Sequence, residues 1–554
     1  MQRLIVAAPR QSRAPILVWL AVAIAVLIAV PILSVAVNLF VGGTSDTWKH
    51  LAATVLPSYI ANTLWLCAGV AVGVIVVGVA SAWVVSTHEF PGRRIFEWAV
   101  VLPLAVPAYV MAYTYTDLLQ FVGPVQSWLR STFGWRAGDY WFPDVRTLGG
   151  AILMFVFVLY PYVYLLTRAA FLARTTGMLE AGRTLGLGPW ASFFRIALPL
   201  ARPALAAGTS LALMETLADY GAVSYFGVPT FTTGIYRAWF GLGDRTAAAQ
   251  LAAALLGAVA LVLFLERLSR GRARFHNTTG RNRPVAGRTL KGYKAVAASL
   301  VCLLPLTIGF VIPAGVLLNF AITEGDAQFG HRFIQLAQNS FVLAALTAFA
   351  AVVLALALGY AARTTRHALP RLVNRTVGLG YALPGSVIAV GVLIPVTHLD
   401  NVLASVIAAL TGQQPGLLLT GGIAALIYAY LVRFLTVSLQ SVEAGLVKVT
   451  TSIDDAARSL GCGGRETIWR VHLPLLRGSL LTAGLLVFVD VMKELPATLV
   501  MRPFNFDTLA TQAYTLASDE RLAEASTSAL AIVVVGILPL IVISRQIARE
   551  RPAQ

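Results

Sequence analysis

Apolar runs long enough to cross a bilayer recur from one end of this chain to the other, and nothing else restricts its fold so tightly. In hydrocarbon every backbone N–H and C=O must be met from within the protein, so a spanning segment is a helix or a strand of a closed barrel. A helix needs roughly 20 residues to cross a ~30 Å core. Such runs fall near residues 15–40, 60–86, 96–118, 148–172, 203–226, 247–266, 294–320, 339–362, 374–397, 416–440, 479–500 and 526–546. The stretch 400–411 is apolar but short and reads as a re-entrant or interfacial piece. The apolar–polar alternation of a membrane barrel is absent. With 58% hydrophobic and 12% charged residues, the chain is not that of a soluble protein. The first run follows Arg3, Arg10 and Arg13, but it is too long for a signal peptide and no clear cleavage site follows it. The expectation is an all-α polytopic membrane protein with about 12 transmembrane helices.

The formal net charge of +17 fits orientation in a bilayer, because positive residues gather in cytoplasmic loops; nucleic acid is not an expected partner. Arg93 and Arg94 follow the second run, and Arg174, Arg183, Arg195 and Arg202 surround 180–199. Nine Arg and Lys residues lie between Arg267 and Lys294, and Arg363, Arg366, Arg371 and Arg375 follow the eighth run. Arg545, Arg549 and Arg551 close the chain. All of these fall on one side if the N-terminus is inside and there are twelve crossings, which predicts that both termini are cytoplasmic. Cys67, Cys302 and Cys462 have no spacing that suggests a metal knuckle or a disulfide framework.

The chain is also duplicated. Glu180-Ala181-Gly182-Arg183-Thr184-Leu185-Gly186, followed by Ile196-Ala197-Leu198-Pro199, recurs as Asp455-Ala456-Ala457-Arg458-Ser459-Leu460-Gly461, followed by Val471-His472-Leu473-Pro474, with Gly186/Gly461 and Pro199/Pro474 both 275 apart. Asn62-Thr63 matches Asn339-Ser340, Pro107 matches Pro384, and Phe231-Thr232-Thr233 is paired with Phe506-Asp507-Thr508. Each copy lies between the fourth and fifth runs of its half, so the halves are parallel repeats about an axis along the membrane normal. The expected division is an N-terminal half 1–266, a cytoplasmic linker 267–293 and a C-terminal half 294–554. Gly69 and Gly73 form a G-x-x-x-G pair of the kind that lets helices approach closely; no function is assigned to it.

In each copy a short helix starts at an acid and ends at a glycine suited to a left-handed turn. A second short helix then leads to Leu-Pro, and Pro199 and Pro474 restart the chain into the next span. This pattern resembles the EAA loop of permease subunits in binding-protein-dependent ABC importers, here loops 180–199 and 455–474. The resemblance implies a type I ABC importer permease fold in which Glu180, Ala181, Gly186 and Pro199, with Asp455, Ala456, Gly461 and Pro474, couple to two copies of a separate ATPase subunit. Gly182 for Ala and Asp455 for Glu depart from the family pattern. The chain has no Walker A loop, H-E-x-x-H or G-x-S-x-G, so it is expected not to be an enzyme and to bind no cofactor, ATP and Mg being used by the partner.

Charges inside spans are costly and mark pathways by default. Glu215 and Asp219 sit four apart on one face of the fifth run, and Asp490 and Glu494 occupy the same places 275 residues on. From Pro203, Glu215 lies ~18 Å and Asp219 ~24 Å along the helix, beyond the midplane. Hard oxygen ligands suit a highly charged cation; the alternative is structural, with the acids capping or pairing within the bundle beside Lys493. The stretches Met214–Gly221 and Phe231–Trp239, with Phe488–Thr498 and Arg502–Thr511, resemble ferric-iron ABC permeases. That resemblance implies a bacterial inner-membrane permease that takes Fe3+ from a periplasmic iron-binding protein, with Glu215, Asp219, Asp490 and Glu494 lining the pathway and touching the ion transiently. The same layout also serves thiamine permeases, and polyamine or phosphonate cargo or an ion-gradient-driven carrier are further alternatives.

Overall fold

The computed structural model describes residues 15–41, 46–174, 182, 184–270, 288–323, 330–364, 368–413 and 415–549. Among these, 11 helices are long and apolar enough to cross a membrane. A twelfth crossing results if the bent pair Arg93–Ala105 and Ala108–Phe133, which meet at 91°, counts as one. The only pairing of extended backbone among the described residues is short and parallel, His88–Glu89 with Arg288–Thr289. The fold is therefore all-α and polytopic. Residues 271–287, most of the expected linker, lie outside the described residues.

Most apolar runs become helices where the sequence placed them, with two corrections. The runs 96–118, 203–226, 374–397 and 479–500 are each interrupted, at Pro107, Asp219, Pro384 and near Glu494. The stretch 400–411 is no separate piece, because the helix Gly385–Thr411 runs through it without interruption. The acid in its middle is met locally. Asp400 is buried and accepts the backbone N–H groups of Leu418, Leu419 and Thr420 at 2.8–3.2 Å, together with the Thr420 hydroxyl at 2.7 Å. A carboxylate satisfied by four donors can remain in an apolar helix.

The duplication is visible in bonds as well as letters. Asn62 donates its side-chain amide to the Pro229 carbonyl at 3.0 Å, and Asn339 donates to the Asp507 carbonyl at 3.0 Å. Arg168 pairs with Glu97 in the first half. At the matching places of the second half, Asn374 donates to Glu443 at 2.7 Å. The contact persists while its chemistry is exchanged. Pro107 stands immediately before the helix Ala108–Leu119, and Pro384 immediately before Gly385–Thr411, so both prolines sit at a break, as the loss of an N–H dictates. One sequence pairing shifts. The capping box Thr230/Thr233 corresponds to Thr508/Thr511, three residues beyond the 275 offset that paired Phe231 with Phe506. The helix start, which needs a hydroxyl at its N-cap and another three residues on, fixes the register there.

The helices pack in two compact units that cut across the sequence halves. One holds the described parts of 1–34, 342–381 and 391–491; the other holds those of 35–341, 382–390 and 492–554. In the first unit, Thr436 donates to the Val377 carbonyl at 2.8 Å and the Tyr428 hydroxyl donates to the carbonyl of Leu27, so the opening helix Pro15–Val41 packs among helices of the second half. In the other unit the helices Leu56–Thr87 and Leu148–Arg174 form the most intimate pair. Gly69 and Gly73 face Ile152 and Val156, and a Cβ added at Gly73 would come within 2.2 Å of Val156 Cγ2. The G-x-x-x-G pair is thus a close-approach seam within the bundle.

Gly73→Val should lower the stability of the purified protein in detergent by about 1–3 kcal/mol through overpacking. Gly257→Ala, whose added methyl meets nothing within 4 Å, should leave it unchanged or raise it. Thermal unfolding followed by tryptophan fluorescence compares the two.

Candidate functional site

Two surfaces attract attention, the repeated loops and the acids of the fifth and eleventh runs. In the second loop, Thr450 stands immediately before a helix Thr451–Ser459. The chain then turns at Gly461, whose φ is +83°. Cys462 N–H bonds to the Ala457 carbonyl at 3.0 Å and Gly461 N–H to Arg458 at 3.0 Å, the paired bonds of a glycine-terminated helix. The first loop has Gly186 at φ +80° and Leu187 N–H on the Gly182 carbonyl at 2.9 Å, the same bond 275 residues earlier. Side chains other than glycine resist this backbone conformation. Matched apolar residues stand out in solvent beside each turn, Leu185 at 82% and Leu460 at 83% exposure, with Phe194 and Trp469 also exposed. Glu180 and Ala181 lie outside the described residues. Asp455 is exposed and accepts from Arg458 at 3.0 Å, and Ala456 is exposed beside it.

The prolines do not restart the chain, a correction to the sequence reading. Short helices Pro189–Ser192 and Gly464–Thr467 flow through one widened turn each, Phe193–Ala197 and Ile468–His472, into Leu198–Ala218 and Leu473–Met492. Leu198 N–H reaches Phe193 and Leu473 N–H reaches Ile468, five residues back. The next residue is Pro199 or Pro474, which has no N–H to continue the four-residue ladder, and the wider register absorbs the gap. Each loop is therefore stiffly continuous with the span behind it.

Sequence reasoning missed what holds the second loop. Asp454, one residue before the motif acid, accepts from Arg363 Nη2 at 2.7 Å and meets His472 Nε2 at 2.6 Å. His472 Nδ1 meets the Tyr360 hydroxyl at 2.7 Å, and Arg363 Nη1 also donates to the Leu446 and Val449 carbonyls. A carboxylate only accepts, so the histidine proton lies on Nε2 and Nδ1 can accept from Tyr360. Burial favours the neutral Asp454 acid, but the hydrogen bonds from Arg363 and His472 outweigh it and hold the carboxyl below its usual value. The first loop is seated by rings instead, with Trp83 set edge-on to Phe171 at 5.4 Å and to Phe193 at 4.9 Å.

The acids stand at helix breaks. Glu215 lies inside Leu198–Ala218, and Asp490 lies inside Leu473–Met492. Asp219 and Glu494 fall just beyond the ends of those helices, so neither pair shares one unbroken helix face as the spacing predicted. Asp219 is extended, at φ −71° and ψ 137°. Its Oδ1 accepts from Ala222 N–H at 2.8 Å and Val223 N–H at 3.3 Å, at the start of the helix Gly221–Tyr225. Glu494 is buried and accepts from Ala497 N–H at 2.9 Å, Thr498 N–H at 3.1 Å and the Thr498 hydroxyl at 2.7 Å, at the start of Pro496–Met501. Each acid satisfies the orphan donors of a new helix start. Among the described residues no group of three or more His, Cys, Asp or Glu is disposed to hold a metal ion.

Tyrosines that the sequence reading did not single out surround these breaks. Tyr109 and Tyr113, one turn apart in Ala108–Leu119, have ring centroids 6.0 Å apart. Tyr113 meets Tyr225 edge-on at 4.4 Å. Tyr220 stacks on Tyr236 at 3.6 Å, and Tyr514 donates to the Tyr220 hydroxyl at 3.4 Å. The run Tyr109-Val110-Met111-Ala112-Tyr113-Thr114-Tyr115 was the available signal, since polar-tipped rings a turn apart seldom lie idle in an apolar span.

Comparison with known proteins places this geometry among transport proteins. The family described as binding-protein-dependent transport system inner membrane component matches residues 74–271, a stretch that includes the whole first loop. The chain is 26% identical over 491 residues to the Fe(3+)-transport system permease protein FbpB 2 of Haemophilus influenzae, covering 88% of this chain and 89% of that one. It is 23% identical over 518 residues to the ferric transport system permease protein FbpB of Actinobacillus pleuropneumoniae, covering 88% of this chain and 71% of that one. It is also 30% identical over 206 residues to the molybdenum transport system permease protein ModB of Escherichia coli strain K12, covering 35% of this chain and 87% of that one.

The ordinary carboxylate value is about 3.9; because Asp454 lies below it, the acid's contribution to holding the loop is full at neutral pH and is lost only as pH falls through the lowered value. Asp454→Asn should loosen the loop at pH 7 by roughly 1.5–3 kcal/mol, the scale of lost charged hydrogen bonds. Hydrogen exchange in Thr451–Ser459 should then accelerate about tenfold or more.

Proposed function

The chain belongs to the family of binding-protein-dependent transport system inner membrane components, and from that premise we propose that it is the ferric-ion permease of an ABC importer. It is a multi-pass membrane protein of a transport family. The observation that carries the finer reading is the similarity to ferric permeases along 88% of the chain. The similarity to a molybdenum permease covers 35% of the chain, and acids at the breaks suit a cation better than an oxyanion.

In this reading the loops around Gly186 and Gly461 dock two copies of an ATPase subunit, which binds ATP and Mg. The exposed Leu185 and Leu460 supply apolar anchors. Both termini face the cytoplasm of the bacterial inner membrane, and a periplasmic iron-binding protein delivers Fe3+ to the opposite face. The part of each loop after its glycine turn runs on into the span, so closure of the ATPase pair pulls on Leu198–Ala218 and Leu473–Met492. The pull is felt at the far ends of those helices, where Asp219 and Glu494 stand. Alternating access then follows from movement at the breaks, with Glu215, Asp219, Asp490 and Glu494 along the path.

Reconstitution with the neighbouring ATPase and binding protein should give ATP-dependent uptake of radiolabelled iron. Uptake of thiamine or molybdate without iron would overturn the cargo assignment. Gly186→Val together with Gly461→Val imposes about 1–2 kcal/mol of backbone strain at each turn. It should cut ATP-driven uptake tenfold or more and weaken co-purification of the ATPase. Unaltered uptake with no ATPase attached would point to a gradient-driven carrier.

A further inference from the structure

Buried hydroxyls without a partner are rare, and each needs a reason, because an unmet buried polar group costs about 1–3 kcal/mol. Three of them belong to the segments around the two helix breaks. Tyr109 and Tyr113 are 3% and 2% exposed, Ser386 is fully buried, and the hydroxyl of each has no hydrogen-bond partner. Tyr109 and Ser386 are equivalent in the repeat, each two residues beyond the matched Pro107 or Pro384. Both segments abut the breaks. A Cβ added at Gly221, two residues past Asp219, would come within 2.6 Å of Tyr109 Cβ, and one added at Gly385 within 2.6 Å of Glu494 Oε1. All of these residues belong to one compact unit.

We propose that the hydroxyls of Tyr109, Tyr113 and Ser386 form a transient site that takes the cargo as a hard cation when the two helix breaks move apart. The assignment rests on the transport reading above and names the groups that touch the cargo. The carboxylates alone do not suffice, since Asp219 and Glu494 already accept hydrogen bonds from the helix starts that follow them. Hydroxyl and phenolate oxygens are hard donors, and phenolate is a strong ligand for a trivalent ion. Binding through phenolate releases one proton per tyrosine to water or to a neighbouring carboxylate, with no change of oxidation state. In the conformation described here the same tyrosines close on one another. Tyr113 lies edge-on to Tyr225, and Tyr236 is stacked on Tyr220 with its hydroxyl donating to the Pro496 carbonyl. The Tyr236 bond joins the first-half helix Phe231–Tyr236 to the start of the second break. Opening that contact is what would expose the three unmet hydroxyls.

The decisive variants keep the rings and remove the oxygens. Tyr109→Phe, Tyr113→Phe and the double variant should hold or raise thermal stability, because the deleted groups are unmet in the closed state. In the reconstituted complex they should lower iron uptake tenfold or more for the double variant, while ATPase attachment stays at the wild-type level. Ferric citrate added to the wild-type complex, with the binding protein omitted and an ATP analogue present, should develop the visible absorbance of a phenolate–ferric pair. The double variant should not. If the wild type transports iron and the double variant matches it in uptake and absorbance, the site assignment is wrong and the transport reading stands. If the wild type carries no iron, the cargo reading itself fails. Lost stability in both single variants would assign the hydroxyls to packing and overturn the site.

Discussion

Every interruption of a helix inside hydrocarbon leaves backbone donors that must be met by the protein itself, and the breaks after Leu198–Ala218 and Leu473–Met492 depend on one side chain each. Asp219 and Glu494 supply the acceptors that let a second short helix begin where the first stops. An unbroken helix would need no acid at those places. In turn, the donors exposed by the break meet the carboxylate at Asp219 and at Glu494. Charge and break are therefore one device, repeated once per half, and they fix where the spans can flex.

The two loops show how one mechanical role is met by two chemistries. Both keep the left-handed glycine, the bond that closes the turn, the exposed leucine and the widened turn ahead of the proline. Behind them they differ. The second is tied by the Arg363–Asp454–His472–Tyr360 chain, and the first by the edges of Trp83, Phe171 and Phe193. The pair Glu97–Arg168 and its counterpart Asn374–Glu443 follow the same rule. Geometry is what the duplication preserved, while the atoms that achieve it have changed.

What could be read from the letters is what depends on neighbours in sequence. Apolar length and the positive φ at Gly186 and Gly461 are local, and both were legible, whereas Pro107 and Pro384 were matched in the sequence without a break being read at either. The run to Thr411 was not legible, because the donors that satisfy Asp400 come from residues 418–420. Nor was the register at Thr230 and Thr508, because identity counting followed a constant offset while the capping hydroxyls set the true one. Asp454 stands next to the motif but was not singled out from the sequence. Its importance comes from Arg363 and Tyr360, which lie about ninety residues earlier in the chain.

In the proposed reading, a motor seated on the loops acts through the helices behind them. The helix behind each loop is continuous from Pro189 to Ala218 and from Gly464 to Met492, and a helix resists stretching while its ladder of bonds is complete. The widened turns at Phe193–Ala197 and Ile468–His472 sit at the loop end of each helix, and Pro203 removes one further ladder bond from the first. In that reading, displacement that passes the glycine turn is carried along these helices to the other end, where the backbone leaves the helix at Asp219 and beyond Met492. Movement there strains the stacked Tyr220–Tyr236 pair and the Tyr236–Pro496 bond. These contacts are few and polar-tipped, whereas the seam between Leu56–Thr87 and Leu148–Arg174 is close-packed through Gly69 and Gly73. Of the two, the tyrosine closure is the weaker, so it yields first when the spans are drawn.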